Sequence, residues 1–215
     1  MAQPAQPKRK YNSTRRQAQA GETRRQIIEA ARRLFSERGY AGATIEAIAQ
    51  EAGVAPETVF AVFGNKRTIL ASLVDVAVGG DDLPIPLLQR PGPQAVLHEQ
   101  DAVRQINLFA QDISTILERV APVFEIIRVA AKTEPDIAVL LNNILQKRLH
   151  NLTVFVSHLS AHTHLRAGIS DEKAAETVWA ITSPDLFNLL VVDRGWSLEQ
   201  YRQWLGDTLV RLLLP

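Results

Sequence analysis

Between residues 22 and 38 apolar side chains recur three and four positions apart. Ile27, Ala30, Ala31, Leu34 and Phe35 fall on one face, with Arg and Glu opposite, which predicts an amphipathic helix. Thr23 is its expected N-cap and Gly39 its stop. A short helix is predicted next, capped by Thr44, with Ile45, Ile48 and Ala49 inward and Gly53 as its end. A third starts at Pro56, where a missing N–H costs nothing in a first turn, and buries Val59 and Phe63. Gly64-Asn65 breaks the chain, and Lys66 opens a fourth helix through Ile69, Leu70, Leu73 and Val74.

Gly79-Gly80 and the four prolines of residues 81–93 predict a loop. Beyond it the 3.6-residue period returns over about 96–119 (Val103, Ile106, Ala110, Ile113, Leu117), in a short segment near 123–132, and over about 136–160. Ser170 caps a helix that runs to about residue 193, interrupted at Pro184, whose ring removes one helical hydrogen bond. Ser197, followed by Glu199 and Gln200, opens the last helix, which ends in Leu212-Leu213-Leu214. The sum is an all-α chain of about nine helices without an internal repeat.

Composition narrows the function classes. Apolar residues make up 46% and charged residues 22% of the 215, which is ordinary globular chemistry and argues against disorder. There is no cysteine, hence no disulfide framework and no thiolate metal site. With no basic-then-apolar leader and no run of about 18 apolar residues, a cytoplasmic protein with no membrane partner is expected. The net charge of +1 conceals a division: residues 1–67 carry 12 Lys and Arg against 6 Asp and Glu, the remainder 12 against 17. A basic end on a mildly acidic body points to a polyanion held at that end only. Residues 1–21, with five basic side chains and no acidic one, read as a flexible arm, either a solvated tail or a contact to DNA.

Two short helices joined at Gly53-Val54, behind a longer helix, form a helix-turn-helix pattern in which the glycine permits the turn and Val54 fills the space between the helices. The whole segment AARRLFSERGYAGATIEAIAQEAGVAPETVFAVFGNKRTIL, residues 30–70, resembles the signature of the tetracycline-repressor (TetR) family. Leu-Phe, Gly-Tyr, a helix-opening Thr, Ile-Ala, Ala-Gly-Val, Thr-Val-Phe, Phe and Lys follow in its order. The resemblance implies a helix-turn-helix DNA-binding domain over 22–66 and an effector-binding and dimerisation domain over 67–215. It implies a DNA-binding transcriptional regulator, a repressor that leaves a palindromic operator when a small molecule binds the C-terminal domain.

Residue by residue, the resemblance implies that Thr44 and Lys66 meet phosphates. Pro56, Glu57, Thr58, Phe60 and Ala61 would line the exposed face of the recognition helix. Phe60 stands where the family usually has Tyr, and Val62 where it often has His or Tyr, so two polar groups are missing. Glu57 either complements the helix dipole or accepts from a cytosine N4 amine. Electrostatic affinity for DNA would then come from Lys66, Arg67, Arg24 and Arg25, together with the basic arm. The last two helices would pair with their twofold mates through Val178, Ile181, Leu186, Leu189, Leu190, Trp204, Leu205, Leu209 and Leu212, giving a homodimer. An unidentified small-molecule effector would lie among Phe109, Phe124, Arg128, Asn142, Arg148, Phe155 and Trp179, apolar walls with a few polar groups.

Two rival readings use other features. His158, His162 and His164 form an H-x3-H-x-H cluster, and histidines at i and i+4 can reach one zinc, which would make a metal-responsive regulator. A nonspecific architectural DNA protein would use the basic end alone. Neither a nucleophile elbow, a phosphate-binding glycine loop, H-E-x-x-H nor a paired-carboxylate site occurs, so no enzyme activity and no cofactor are expected.

Overall fold

A computed structural model describes residues 13–215, and among them the regular structure is entirely helical. The long first helix, α1 (Ser13–Gly42), kinks at Gly39, whose φ of 68° no β-carbon tolerates well. It therefore starts inside the stretch read as an arm, and Thr23 lies within it rather than capping it. The reason is intrinsic propensity: Arg, Gln and Ala dominate residues 15–20, and a helix nucleated by the buried Ile27–Phe35 face can propagate backwards without apolar residues of its own. The arm before Ser13 lies outside the described residues.

The next three helices follow their caps. In α2 (Ile45–Ala52) the Thr44 hydroxyl oxygen accepts from the Ala47 N–H at 3.1 Å. Gly53 ends it in the left-handed region (φ 67°), while the Val54 N–H reaches back to the Ala49 carbonyl at 3.0 Å. Helix α3 (Pro56–Phe63) has Pro56 in its first turn, and α4 (Lys66–Gly79) is capped by Asn65, which accepts from the Thr68 N–H at 2.9 Å. Gly53→Ala should cost about 1–2 kcal/mol, because a β-carbon is strained at positive φ. Thermal circular dichroism would then show a drop of roughly 2–8 °C; an unchanged Tm would mean that this turn does not require the left-handed conformation.

The C-terminal body departs from expectation at three junctions. Residues 91–98 form a helix of their own, α5 (Pro91–His98), and α6 (Ala102–Ala130) begins anew after Asp101, which accepts from the Arg104 N–H. Helix α6 then runs unbroken through Pro122, where two separate helices were expected. Pro122 is exposed while Val120, Ala121, Val123 and Phe124 around it are buried, so packing on both sides offsets the ~3 kcal/mol that an interior proline costs. Helix α7 (Pro135–Ser160) lies where the periodicity placed it.

After α8 (Asp171–Ile181) the chain stops at the buried Thr182 and restarts with Ser183 capping α9 (Pro184–Phe187), which continues as a π-helical stretch, Asn188–Asp193. The last helix, α10 (Leu198–Leu213), opens with a full capping box between Ser197 and Gln200. Among the described residues, ten α-helices thus replace the expected nine.

Two buried clusters organise them. The first joins α1–α4 to one side of α6 and the start of α7, with Phe35, Ile48, Val59, Ile69, Phe124 and Ile137 at its centre. The second packs the other side of α6 against α5, α7, α8, α9 and α10. The head therefore shares its core with the body, because α4 and α6 contribute to both the helix-turn-helix packing and what lies beneath it.

Candidate nucleic-acid interface and internal cavity

Helix α3 turns Val59 and Phe63 inward and leaves Glu57, Phe60 and Ala61 exposed, with Pro56 and Thr58 half-buried. Phe60 is 49% exposed and Val62 37%, an apolar surface with no obvious monomeric use. Thr44 stands exposed at the α2 N-terminus, its hydroxyl engaged in the cap. Lys66 is half-buried at the start of α4: its ammonium donates to the Tyr40 carbonyl at 2.7 Å and sits 4.2 Å from the Tyr40 ring centroid. That burial lowers its pKa, and the contact fastens the kinked end of α1 to α4. Arg67 beside it is exposed and has no hydrogen bond or ion pair among the described residues.

Arg24 and Arg25 do not join this group. Arg24 donates to the Ser72 hydroxyl at 2.8 Å and covers the Phe63 ring at 4.7 Å. Arg25 pairs with Glu22 at 2.7 Å and with Asp82 at 3.3 Å, beyond the opposite end of α4 from Lys66. At 1.5 Å per residue that end lies about 20 Å away. Helix α1 is long enough to carry Arg25 in its first turns towards the body, whereas Arg24 stays against Phe63 of α3.

Beneath the head, α4, α6, α7 and the loop after α4 enclose a cavity of about 320 Å³. Its wall is mostly aliphatic: Val74 and Val78 from α4, Ile113, Ile116 and Val120 from α6, Ile144 and Leu152 from α7, and Leu83 to Leu87 from the loop. Of the residues expected around an effector, Phe124 and Arg148 line it. Phe109 and Phe155 instead stack on each other in the second core, ring centroids 4.0 Å apart. Asn142 is exposed. Arg128 borders a separate surface groove and pairs with Asp185 at 2.7 Å, and Trp179, off the cavity wall, meets Arg148 with its backbone carbonyl and with its ring, whose centroid lies 5.2 Å from the guanidinium carbon. The loop residues were not foreseen, because a proline-rich segment carries no periodicity to say which way it folds.

The loop is held over the cavity by one side chain. Arg90 donates to the carbonyls of Gly79, Leu83 and Ile85 and forms a two-pronged ion pair with Asp81 at 2.8 and 2.9 Å. A β-carbon on Gly79 would stand 2.6 Å from that guanidinium, so a larger residue there would push the Arg90 side chain aside. Arg119 of α6 caps the same helix end, donating to the Ala77 carbonyl at 2.9 Å and the Val78 carbonyl at 3.3 Å.

Residues 27–73 match the family described as bacterial regulatory proteins, tetR family. The HTH-type transcriptional repressor BepR of Brucella suis biovar 1 is 31% identical over 205 residues, 93% of this chain and 95% of that protein. The chain belongs to the tetR family. It is a DNA-binding transcriptional regulator. The regulator TtgR of Pseudomonas putida is 44% identical over 61 residues, 28% of this chain and 29% of that protein. Two solved structures share the fold. NalD, the secondary repressor of the MexAB-OprM multidrug efflux pump in Pseudomonas aeruginosa, superposes with a TM-score of 0.67 at 20% identity, over 92% of this chain and 98% of that one. The SmeT–triclosan complex gives 0.70 at 21%, over 90% and 92%.

In this regulator the residues expected at a dimer face divide into two sets. Val178, Leu205 and Leu209 are fully buried and complete the protomer's own core. Ile181, Leu186, Leu190, Trp204 and Leu212 are half-buried, and Leu189 is 51% exposed. Val192, one turn on from Leu189, is 67% exposed and was not foreseen; its place on the π-helical stretch breaks the 3.6-residue count. His158 lies in the last turn of α7, whereas His162 and His164 follow that helix, and all three are exposed. Among the described residues no group of three or more His, Cys, Asp or Glu could hold a metal ion, because the regular i, i+4 register ends before the second histidine. No described helix is long and apolar enough to cross a membrane.

Proposed function

We propose that this regulator is a homodimeric repressor that leaves a palindromic operator when a small molecule occupies the cavity under α4. The observation that carries this reading is the double use of α4. Its first turn holds the head through the Lys66 contact to Tyr40, while Val74, Asp75, Val78 and Gly79, one to three turns on, form the cavity wall. A molecule that fills the cavity presses on the helix that sets the angle of the head. A ligand shifts the equilibrium only as far as it prefers the DNA-incompetent spacing of the two heads. NalD's description as a repressor of an efflux pump and SmeT's complex with triclosan are in keeping with this reading.

On the DNA, α3 enters the major groove with Pro56, Glu57, Thr58, Phe60 and Ala61 towards the bases, and Thr44 and Lys66 flank it at the backbone. One of the three Lys66 N–H donors is committed to Tyr40, leaving two for a phosphate. Arg67 adds the freer cation. Arg24 and Arg25, being tied to Ser72, Glu22 and Asp82, are assigned to the packing of α1 on α4 rather than to DNA. Arg67→Ala is expected to flatten the slope of log K against log salt by about 0.9 without changing Tm. Lys66→Ala should flatten it similarly and lower Tm as well. Thr58→Ala should relax preference at one operator position only. Salt titrations of operator binding with parallel melting curves check all three, and an unaltered slope for both cations would remove them from the interface.

Footprinting tests the reading as a whole. Protection should cover two half-sites with centres about 34–36 Å apart and should disappear on adding the effector. Diffuse protection without a palindrome would replace the repressor reading with a nonspecific one.

A further inference from the structure

Three cations reach the cavity wall, Arg90, Lys147 and Arg148, against one carboxylate, Asp75. Two of the three are neutralised. Arg90 grips Asp81 at 2.8 Å, and Lys147 lies 4.0 Å from Asp75, with both of those side chains largely in solvent. Arg148 is the cation left over. Its Nη2 donates to two neutral oxygens, the Trp179 carbonyl at 2.6 Å and the Thr182 hydroxyl at 2.8 Å. Its Nε and Nη1 have no hydrogen-bond partner among the described residues, and no carboxylate stands within ion-pair distance. Asp185, the one acidic group whose field reaches it, is already paired with Arg128 at 2.7 Å.

Arg148 is half-buried, and a partly desolvated guanidinium without a counter-ion is costly to the fold. Burial lowers its pKa to about 10, with Tyr201 and Asp185 opposing the shift and Arg128 reinforcing it. Arginine presents its donors as a planar fork, the geometry that a carboxylate meets with two parallel bonds. The remainder of the wall is aliphatic, and 320 Å³ is at the small end of the ~300–1,000 Å³ range of ligand sites.

We propose that the effector is a compact apolar molecule bearing a single anionic group, which pairs with Arg148 while its hydrocarbon part lies against Ile116, Val120, Phe124 and Leu152. This deepens, and rests on, the reading of the cavity as the effector site. The choice of Arg148 also gives the anion a route to the subunit interface. The same guanidinium donates to the Trp179 carbonyl in the last turn of α8 and to the hydroxyl of Thr182, the residue at which the chain breaks before α9. Drawing Arg148 towards a ligand loosens that joint from α7.

Three probes of one shape separate the possibilities: 4-butylbenzoate, its neutral amide, and 4-butylbenzylammonium. Calorimetry on the full chain should show the carboxylate binding roughly ten- to a hundredfold tighter than the amide, the ratio expected for one charged hydrogen-bonding pair. The ammonium should bind more weakly than either. Arg148→Met should abolish the preference for the acid while keeping the affinity for the amide, which also reports that the cavity is intact. If that variant does not fold, the wild-type ratio still decides the ligand class, and Arg148→Lys should narrow it. Ile116→Trp, which fills the cavity, should block all three. Equal or reversed affinities at a site that Ile116→Trp blocks would overturn the anionic class and leave the cavity as the effector site. No binding by any probe, or binding that Ile116→Trp leaves untouched, would remove the cavity as the site and this inference with it.

Discussion

Replacing Leu189 and Val192 together with glutamate is expected to turn the regulator into a monomer and to weaken operator binding by about a hundredfold or more. Both side chains are largely exposed in the protomer, 51% and 67%, so the double variant should keep its helical signal and lose only the stability that dimerisation adds. In a twofold dimer each residue recurs on both sides of the axis, and a new carboxylate is desolvated near its own copy, where like charges cannot pair. A monomer presents one recognition helix, which reads too few base pairs and loses the gain of tethering a second head. Sedimentation velocity and anisotropy titrations on one operator fragment decide the matter. A variant that stays dimeric would move the interface away from the π-helical stretch.

The second large effect should come from a residue that touches neither DNA nor cavity. Arg119→Met removes the guanidinium that holds the Ala77 and Val78 carbonyls at the C-terminal end of α4. Those carbonyls carry the negative end of the helix dipole, and a cation there both satisfies them and anchors the helix to α6. Effector and operator are coupled only if a push on α4 moves it as a body, and couplings of this kind typically span about 5–150-fold. In Arg119→Met the effector should shift operator affinity by less than about threefold, while its own affinity changes little because Arg119 is not on the cavity wall. Operator titrations with and without saturating effector provide the test. Arg90→Met, whose side chain does line the cavity, should lower effector affinity as well as coupling. Full coupling in Arg119→Met would mean that the signal reaches the head by another path.

What could be foreseen from the chain follows the range of the interactions involved. Thr44, Gly53, Pro56 and Ser197 act within four residues of themselves, through a cap, a left-handed turn, a missing N–H and a capping box. Such signals survive in any tertiary setting, so the helix-turn-helix was legible, and so was the inward face from Ile27 to Phe35. Pro122 carries an equally local signal, and there packing overrode it, since α6 is buried on both sides of that position. Residues 13–21 misled in the opposite sense, their lack of large apolar side chains concealing a good helix former.

The amino-acid order by itself determined the family, the two short helices of the helix-turn-helix and the uneven charge that makes one end of the chain basic. Only the tertiary structure decided which arginines find partners within the protomer, that residues 83–87 close the cavity, and that Val178, Leu205 and Leu209 belong to the protomer's own core while Leu189 and Val192 face outwards. The division has one physical cause. Helix caps and periodic faces are set by neighbours along the chain, whereas a cavity, an unpaired cation or an outer face depends on which distant segments come to lie beside it.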